Sequence, residues 1–195
     1  HFDSVLRLCA ALHRADVPRA VSARDHALDA WQWVLRLDPW ASFEVQVAAL
    51  FHDVERLVAE PDPRRPSLVP EETECHPSQK GSARIAERAL GALSLGRASI
   101  ARIAALVCMP ARRRDDAERA LLSDADALSF FSLNSAGYAD CLGPARTRTK
   151  IRSTLAELGP ARRPLLARMK LRRDVRAMVV EELSRLVVSS RATPA

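Results

Sequence analysis

Apolar residues recur every three or four positions along nearly the whole chain, the spacing that places them on one face of an α-helix. Val5, Leu8 and Leu12 form one such stripe, Leu28, Trp31 and Leu35 a second, and Val47, Leu50, Val54 and Leu57 a third. Ile85, Ala89 and Leu90 continue the pattern, followed by Ile100, Ile103, Ala104 and Val107. Strand-like alternation of β-branched residues is absent and glycine is scarce. Alanine, leucine, arginine and glutamate dominate, and all are good helix formers. The pattern predicts an all-α fold, a compact multi-helix bundle.

Proline and glycine divide the pattern. Val17-Pro18 ends a first helix and Asp38-Pro39 a second, because proline supplies no N–H to a helix interior. Pro61, Pro63, Pro66 and Pro70 predict an extended surface loop. Ser78, after His76-Pro77, is the expected N-cap of the next helix. Met109-Pro110 closes another helix, and Gly143-Pro144 and Gly159-Pro160 mark later turns. The proline loop falls between the segments that carry the candidate chemistry, which makes it a poor domain boundary. The expectation is one domain over 1–195, with a core at about 20–135 and helices in 136–195 packing on it.

Composition narrows the picture further. At 195 residues, 48% hydrophobic and 28% charged, the chain is large enough to bury a core without disulfides. No apolar run approaches the roughly 18 residues that span a bilayer, so no membrane partner is expected. Cys9, Cys75, Cys108 and Cys141 are scattered without a C-x-x-C pair. Reduced thiols and a cytoplasmic location are the default reading. The net charge is +6, with only three lysines (Lys80, Lys150 and Lys170) among the 30 basic residues. The excess suits an anionic substrate. The arginines are dispersed and aromatic residues are few, so a dedicated nucleic-acid module is not expected. A homo-oligomer is left open.

The decisive stretch is Ala48-Ala49-Leu50-Phe51-His52-Asp53-Val54-Glu55-Arg56-Leu57. Two metal-ligating side chains at the end of a buried apolar run are costly unless something satisfies them. A cation does so. Imidazole nitrogen with carboxylate oxygen suits Zn, Fe, Mn, Co or Ni, and also admits Mg. His26, on the preceding helix, shares a face with Ala30, Trp33 and Leu37 and so points towards packing. Asp126, in Leu121-Leu122-Ser123-Asp124-Ala125-Asp126-Ala127-Leu128, lies in an apolar run that continues into Phe130 and Phe131. It too asks for a partner. Taken singly, each has a plain structural reading: a core histidine, a surface acid, a salt-bridge residue.

The order His, then His-Asp, then a distant Asp resembles the HD superfamily of metal-dependent phosphohydrolases. The resemblance covers roughly residues 20–135, with 26 positions from His26 to His52 and 73 from Asp53 to Asp126. It implies a divalent metal held by His26, His52, Asp53 and Asp126. The Ala-Asp-Ala-Leu context favours Asp126 over Asp124 as the last ligand. It implies hydrolysis of a phosphate ester, of a nucleotide or a related small phosphorylated molecule, by metal-activated water, with His52 and Asp53 at the reacting centre. Arg56, one turn after the His-Asp pair, and Arg24, just before His26, are candidate phosphate contacts. His76 and Lys80 are further candidates. Glu55, two positions beyond Asp53, is expected to face away.

Some HD proteins add two histidines and hold two metals, diiron oxygenases among them. His76 approximates the first extra position, but no histidine stands at the second, near Cys108-Met109. One metal is therefore preferred. A diiron oxygenase and a non-catalytic ligand- or partner-binding module remain the alternatives. The basic cluster Arg146, Arg148, Lys150 and Arg152 reads as a solvated face. His1, His13 and the tryptophans read as surface or core. No P-loop, dinucleotide-binding, nucleophile-elbow or H-E-x-x-H signature is present.

Overall fold

The computed structural model describes residues 1–13, 18–55, 77–108 and 114–191, and within them every regular element is helical. In chain order these are α1 (Phe2–Leu12), α2 (Pro18–Leu37), α3 (Phe43–Phe51), α4 (Pro77–Leu90) and α5 (Arg97–Cys108). They are followed by α6 (Ala117–Ser129), α7 (Ser135–Glu157), the single turn α8 (Leu165–Arg168) and α9 (Arg173–Arg191). The all-α expectation holds. No described helix is long and apolar enough to cross a membrane. The chain divides into two compact units, His1–Asp126 and Ala127–Ala195.

In the first unit α3 is the central element. Val45, Val47, Ala48, Ala49, Leu50 and Phe51 are all buried, so this helix is apolar on every side, as an element surrounded by neighbours must be. Helices α2 and α5 pack on it, and α4 packs on α5. The buried face of α2 differs from the predicted stripe. Ala27, Ala30 and Val34 are buried together with His26, whereas Leu28, Trp31 and Leu35 are only half-buried. Small alanines let the α2 backbone approach α3 closely, and the larger side chains wrap the edges of the contact. Periodicity alone does not distinguish these two faces of one helix.

Polar contacts fix the ends of these helices. Ser42 caps α3, its Oγ accepting from the N–H of Val45, and its hydroxyl also donates to Glu118 on α6. Arg102 of α5 donates to the same Glu118 at 2.6 Å and to Asp116 at 2.9 Å. Arg102 and the N–H of Arg119 hold the Asp116 carboxyl down to about 2. Ser99 of α5 donates to Glu44 of α3 at 2.6 Å. Helices α3, α5 and α6 are thereby tied in one register. Helix α4 begins at Pro77, one residue before the expected Ser78 cap. Proline suits the first helical position because its missing N–H has no partner there in any case.

One expectation about the cysteines fails. Cys108, at the end of α5, is disulfide-bonded, while Cys9 and Cys141 carry free thiols. A disulfide depends on two Cα atoms meeting within about 4–7 Å, and spacing along the chain does not reveal that.

In the second unit α7 packs with α9. Residues Phe130–Asn134 form a π-helical turn, the N–H of Ser135 reaching the carbonyl of Phe130. The Gly143-Pro144 break appears as a kink within α7, with Gly143 at φ 74°, a backbone conformation that glycine adopts without strain. Arg148 pairs with Glu181 of α9, and Arg152 pairs with the buried Glu182 at 2.9 Å. Half of the basic cluster thus serves helix packing.

Candidate metal centre

Helix α3 ends at Phe51, and His52, Asp53 and Val54 form a turn. The N–H of Val54 reaches back three residues to the Phe51 carbonyl at 3.2 Å. The His-Asp pair therefore stands at the C-terminal mouth of a buried helix. Glu55 is not part of the His26–His52–Asp53 group, in keeping with the expectation that it faces away from the candidate ligands. Glu55 packs against α4, with its carboxylate where a side chain at Gly81 would stand.

His52 donates from Nδ1 to the carbonyl of Ala49 at 2.8 Å. That bond fixes the tautomer and aims the Nε2 lone pair outward, the arrangement found when an imidazole ligates a metal. His26, from the buried face of α2, brings its Nε2 to 3.3 Å from His52 Nε2. Asp126, from α6, places Oδ1 3.0 Å from His26 Nε2 and 3.3 Å from His52 Nε2. Asp53 Oδ2 lies 3.9 Å from His52 Nε2. Ligand atoms of His26, His52 and Asp53 all fall within 4.8 Å of one another. The structure thus brings together all four residues singled out as candidate ligands, from two helices and one turn.

The spacing fits a cation. Donors held at about 2.0–2.2 Å by one ion stand about 3.0–3.5 Å apart in tetrahedral or octahedral geometry. Three of the four measured separations lie in that range, and the fourth needs only a small movement of Asp53. Electrostatics agree. Two imidazole nitrogens facing each other at 3.3 Å beside carboxylates require positive charge between them. In the metal-free state a proton supplies it. Burial disfavours the His52 cation, but Asp126 and Asp53 outweigh burial and push its pKa up to about 9. Burial likewise opposes the Asp126 carboxylate, yet His52 and His26 hold it well below the ordinary range.

The neighbouring Asp124 goes elsewhere. It is buried, and Arg114 donates to it at 2.8 Å. Arg24 is half-buried beside Asp25, 3.6 Å away, and its Nε has no hydrogen-bond partner among the described residues. Lys80 is exposed and lines a groove with Ala83, Arg84, Ala104 and Cys108 that contains none of the four clustered residues. Arg56 and His76 lie outside the described residues.

Two further groups, read from the sequence as a surface or core histidine and a reduced thiol, are buried in the first unit. His13 is buried, its Nδ1 donating to the Cys9 carbonyl at 2.7 Å. Burial lowers the pKa of this imidazole. The Cys9 thiol donates to the Leu50 carbonyl of α3 at 3.6 Å, and burial pushes its pKa up to about 12. Such a thiol is a packing group, not a nucleophile. The only sequence signal was the i, i+4 spacing of Cys9 and His13 on the Val5 face.

No curated protein and no solved structure matches the chain. Residues 3–179 match a family described as a domain of unknown function, DUF4202, and the chain belongs to that family.

Proposed function

We propose that this protein is a metal-dependent phosphohydrolase of the HD type, acting on a nucleotide or a related small phosphorylated molecule. The observation that carries the reading is the convergence of His26 Nε2, His52 Nε2 and Asp126 Oδ1 at 3.0–3.3 Å from one another, with Asp53 beside them. Two imidazoles and two carboxylates suit a first-row transition metal, and Mg less well.

A divalent ion bound there supplies Lewis acidity, lowering the pKa of a coordinated water and polarising a phosphoryl oxygen. The protein's part is positioning. The Ala49 carbonyl fixes His52, α2 delivers His26, and the ties from Glu118 to Ser42 and Arg102 set α6 and with it Asp126. Asp53, on the turn, accepts a hydrogen bond from the attacking water and so directs it. Among the described basic residues Arg24 has the best claim to a substrate phosphate, because its buried Nε has no hydrogen-bond partner among the described residues. The net charge of +6 favours an anionic substrate.

Metal analysis of purified protein tests the site. About one transition-metal ion per chain is expected, lost in a His52→Ala/Asp53→Ala double variant. A panel of nucleotides and generic phosphodiesters, with and without added Mn(II) or Co(II), tests the reaction. Metal content unchanged in the double variant overturns the site. Inactivity across the panel by metal-loaded protein overturns hydrolysis in favour of a binding module, and two irons per chain with oxygen consumption overturns it in favour of an oxygenase.

A further inference from the structure

His52, Asp53 and Val54 form a turn beyond α3. The structure shows a contact that seats the far end of this turn. The N–H of Glu55, two residues past Asp53, donates to Ser82 Oγ at 3.1 Å. Ser82 is 1% exposed, so no water competes for its oxygen. The adjacent residue is Gly81. A Cβ there would lie 2.3 Å from the Glu55 carboxyl carbon and 2.5 Å from one of its oxygens. Glycine therefore lets the Glu55 side chain lie flat on the α4 backbone. Backbone and side chain of the same residue are thus seated on two consecutive positions of one helix.

We propose that Gly81-Ser82 is a positioning clamp for the metal centre, a role resting on the metal-site reading above. The turn is held at one end by α3 and at the other by Ser82, with only Asp53 and Val54 between His52 and the clamped N–H. An error at Glu55 is passed through Val54 alone to Asp53. Asp53 is the ligand farthest from its neighbours, at 3.9 Å from His52 Nε2, so it is the one most exposed to such an error. Ser82 contacts no ligand directly and acts through the backbone. The two clamp positions differ in kind. Losing the hydroxyl of Ser82 orphans a backbone donor that cannot move without moving the turn. A methyl group at Gly81 meets the far end of a flexible side chain, which can swing away. Ser82 is therefore the stronger handle.

Mn(II) alone is the probe, titrated calorimetrically into the metal-free protein. Ser82→Ala is expected to weaken Mn(II) binding about tenfold, the low end of the range for partners that orient metal ligands. Ser82→Thr, which keeps the accepting oxygen, is expected to recover binding to within about threefold of wild type. Gly81→Ala is expected to cost less than Ser82→Ala, and Glu55→Ala in the same chain to remove that cost. Ile103→Val, a buried change in α5, serves as a control for general softening and is expected to leave affinity unchanged. Ser82→Ala binding like wild type overturns the clamp, as does an equal loss in Ile103→Val. Wild-type protein that binds no Mn(II) overturns the metal site itself, and the clamp with it. A poorly folding Ser82→Ala leaves Gly81→Ala and its rescue by Glu55→Ala to decide: a loss that Glu55→Ala fails to relieve overturns the proposal.

Discussion

Asp126 Oδ1 stands 3.0 Å from His26 Nε2 and 3.3 Å from His52 Nε2, so a single carboxylate oxygen faces two imidazoles at once. In the metal-free protein this is an ion pair, with the proton on the His52 side. Asp126 heads the groups that outweigh burial in raising the His52 pKa to about 9.

Asp126→Asn should therefore release that proton. The substitution keeps the shape of the side chain and removes its charge, leaving Asp53 as the nearest carboxylate. Histidine titration followed by NMR in metal-free protein is expected to show the His52 pKa falling well below 9. A titration unchanged from wild type would mean that Asp126 does not pair with His52 in solution.

The same pair sets the pH dependence of stability and of metal binding. The folded-state pKa of His52 lies above its unfolded value near 6.5. Its contribution to stability is then complete below that value and is lost as pH rises through about 9. Asp126 is shifted the other way, below 3.8, so its contribution is complete above that value and is lost as pH falls through its folded pKa. The melting temperature of metal-free protein should fall between pH 6.5 and 9. A metal must displace the His52 proton, so Mn(II) affinity should rise over the same interval, with about one proton released per ion bound. Calorimetry in buffers of different ionisation enthalpy measures that proton. Affinity independent of pH across this window would refute the competition.

What the sequence disclosed, and what it did not, follows from the range of each interaction. Helical periodicity is local, so the all-α class was legible throughout. The four candidate ligands could be singled out only jointly: each is a costly polar group in or beside an apolar run, each alone has a plain structural reading, and it is their order along the chain that resembles the HD pattern. The buried face of α2 was misplaced by one position because Ala27 and Ala30 carry a weaker hydrophobic signal than Leu28 and Trp31, although close helix packing prefers the small residues. The end of α3 at Phe51 was hidden because no proline or glycine marks it. The Ser42–Glu118–Arg102 tie and the Ser82–Glu55 contact each join residues far apart in sequence. Only the folded chain brings those together.

Asp124 and Asp126 offer the sharpest separation of a structural carboxylate from a ligand, since they stand two residues apart on one helix and face different partners. Asp124 is buried with a 2.8 Å bond from Arg114, whose side chain is 34% exposed. Asp124→Ala should leave that arginine to partial solvation and cost about 1–3 kcal/mol, as for a hydrogen bond to a charged group. The variant should still bind Mn(II) nearly as wild type does, because Asp124 makes no contact with His26 or His52 among the described interactions. Asp126→Ala should differ from it in metal binding. Removing a ligand should lower Mn(II) affinity at least about 100-fold, beyond the effect of outer partners. Its metal-free stability should fall as well, because the His52–Asp126 pairing is lost with the carboxylate. Urea denaturation of the metal-free variants and Mn(II) titration of the same preparations give both quantities. Loss of metal binding in Asp124→Ala together with its retention in Asp126→Ala would reverse the assignment of the fourth ligand.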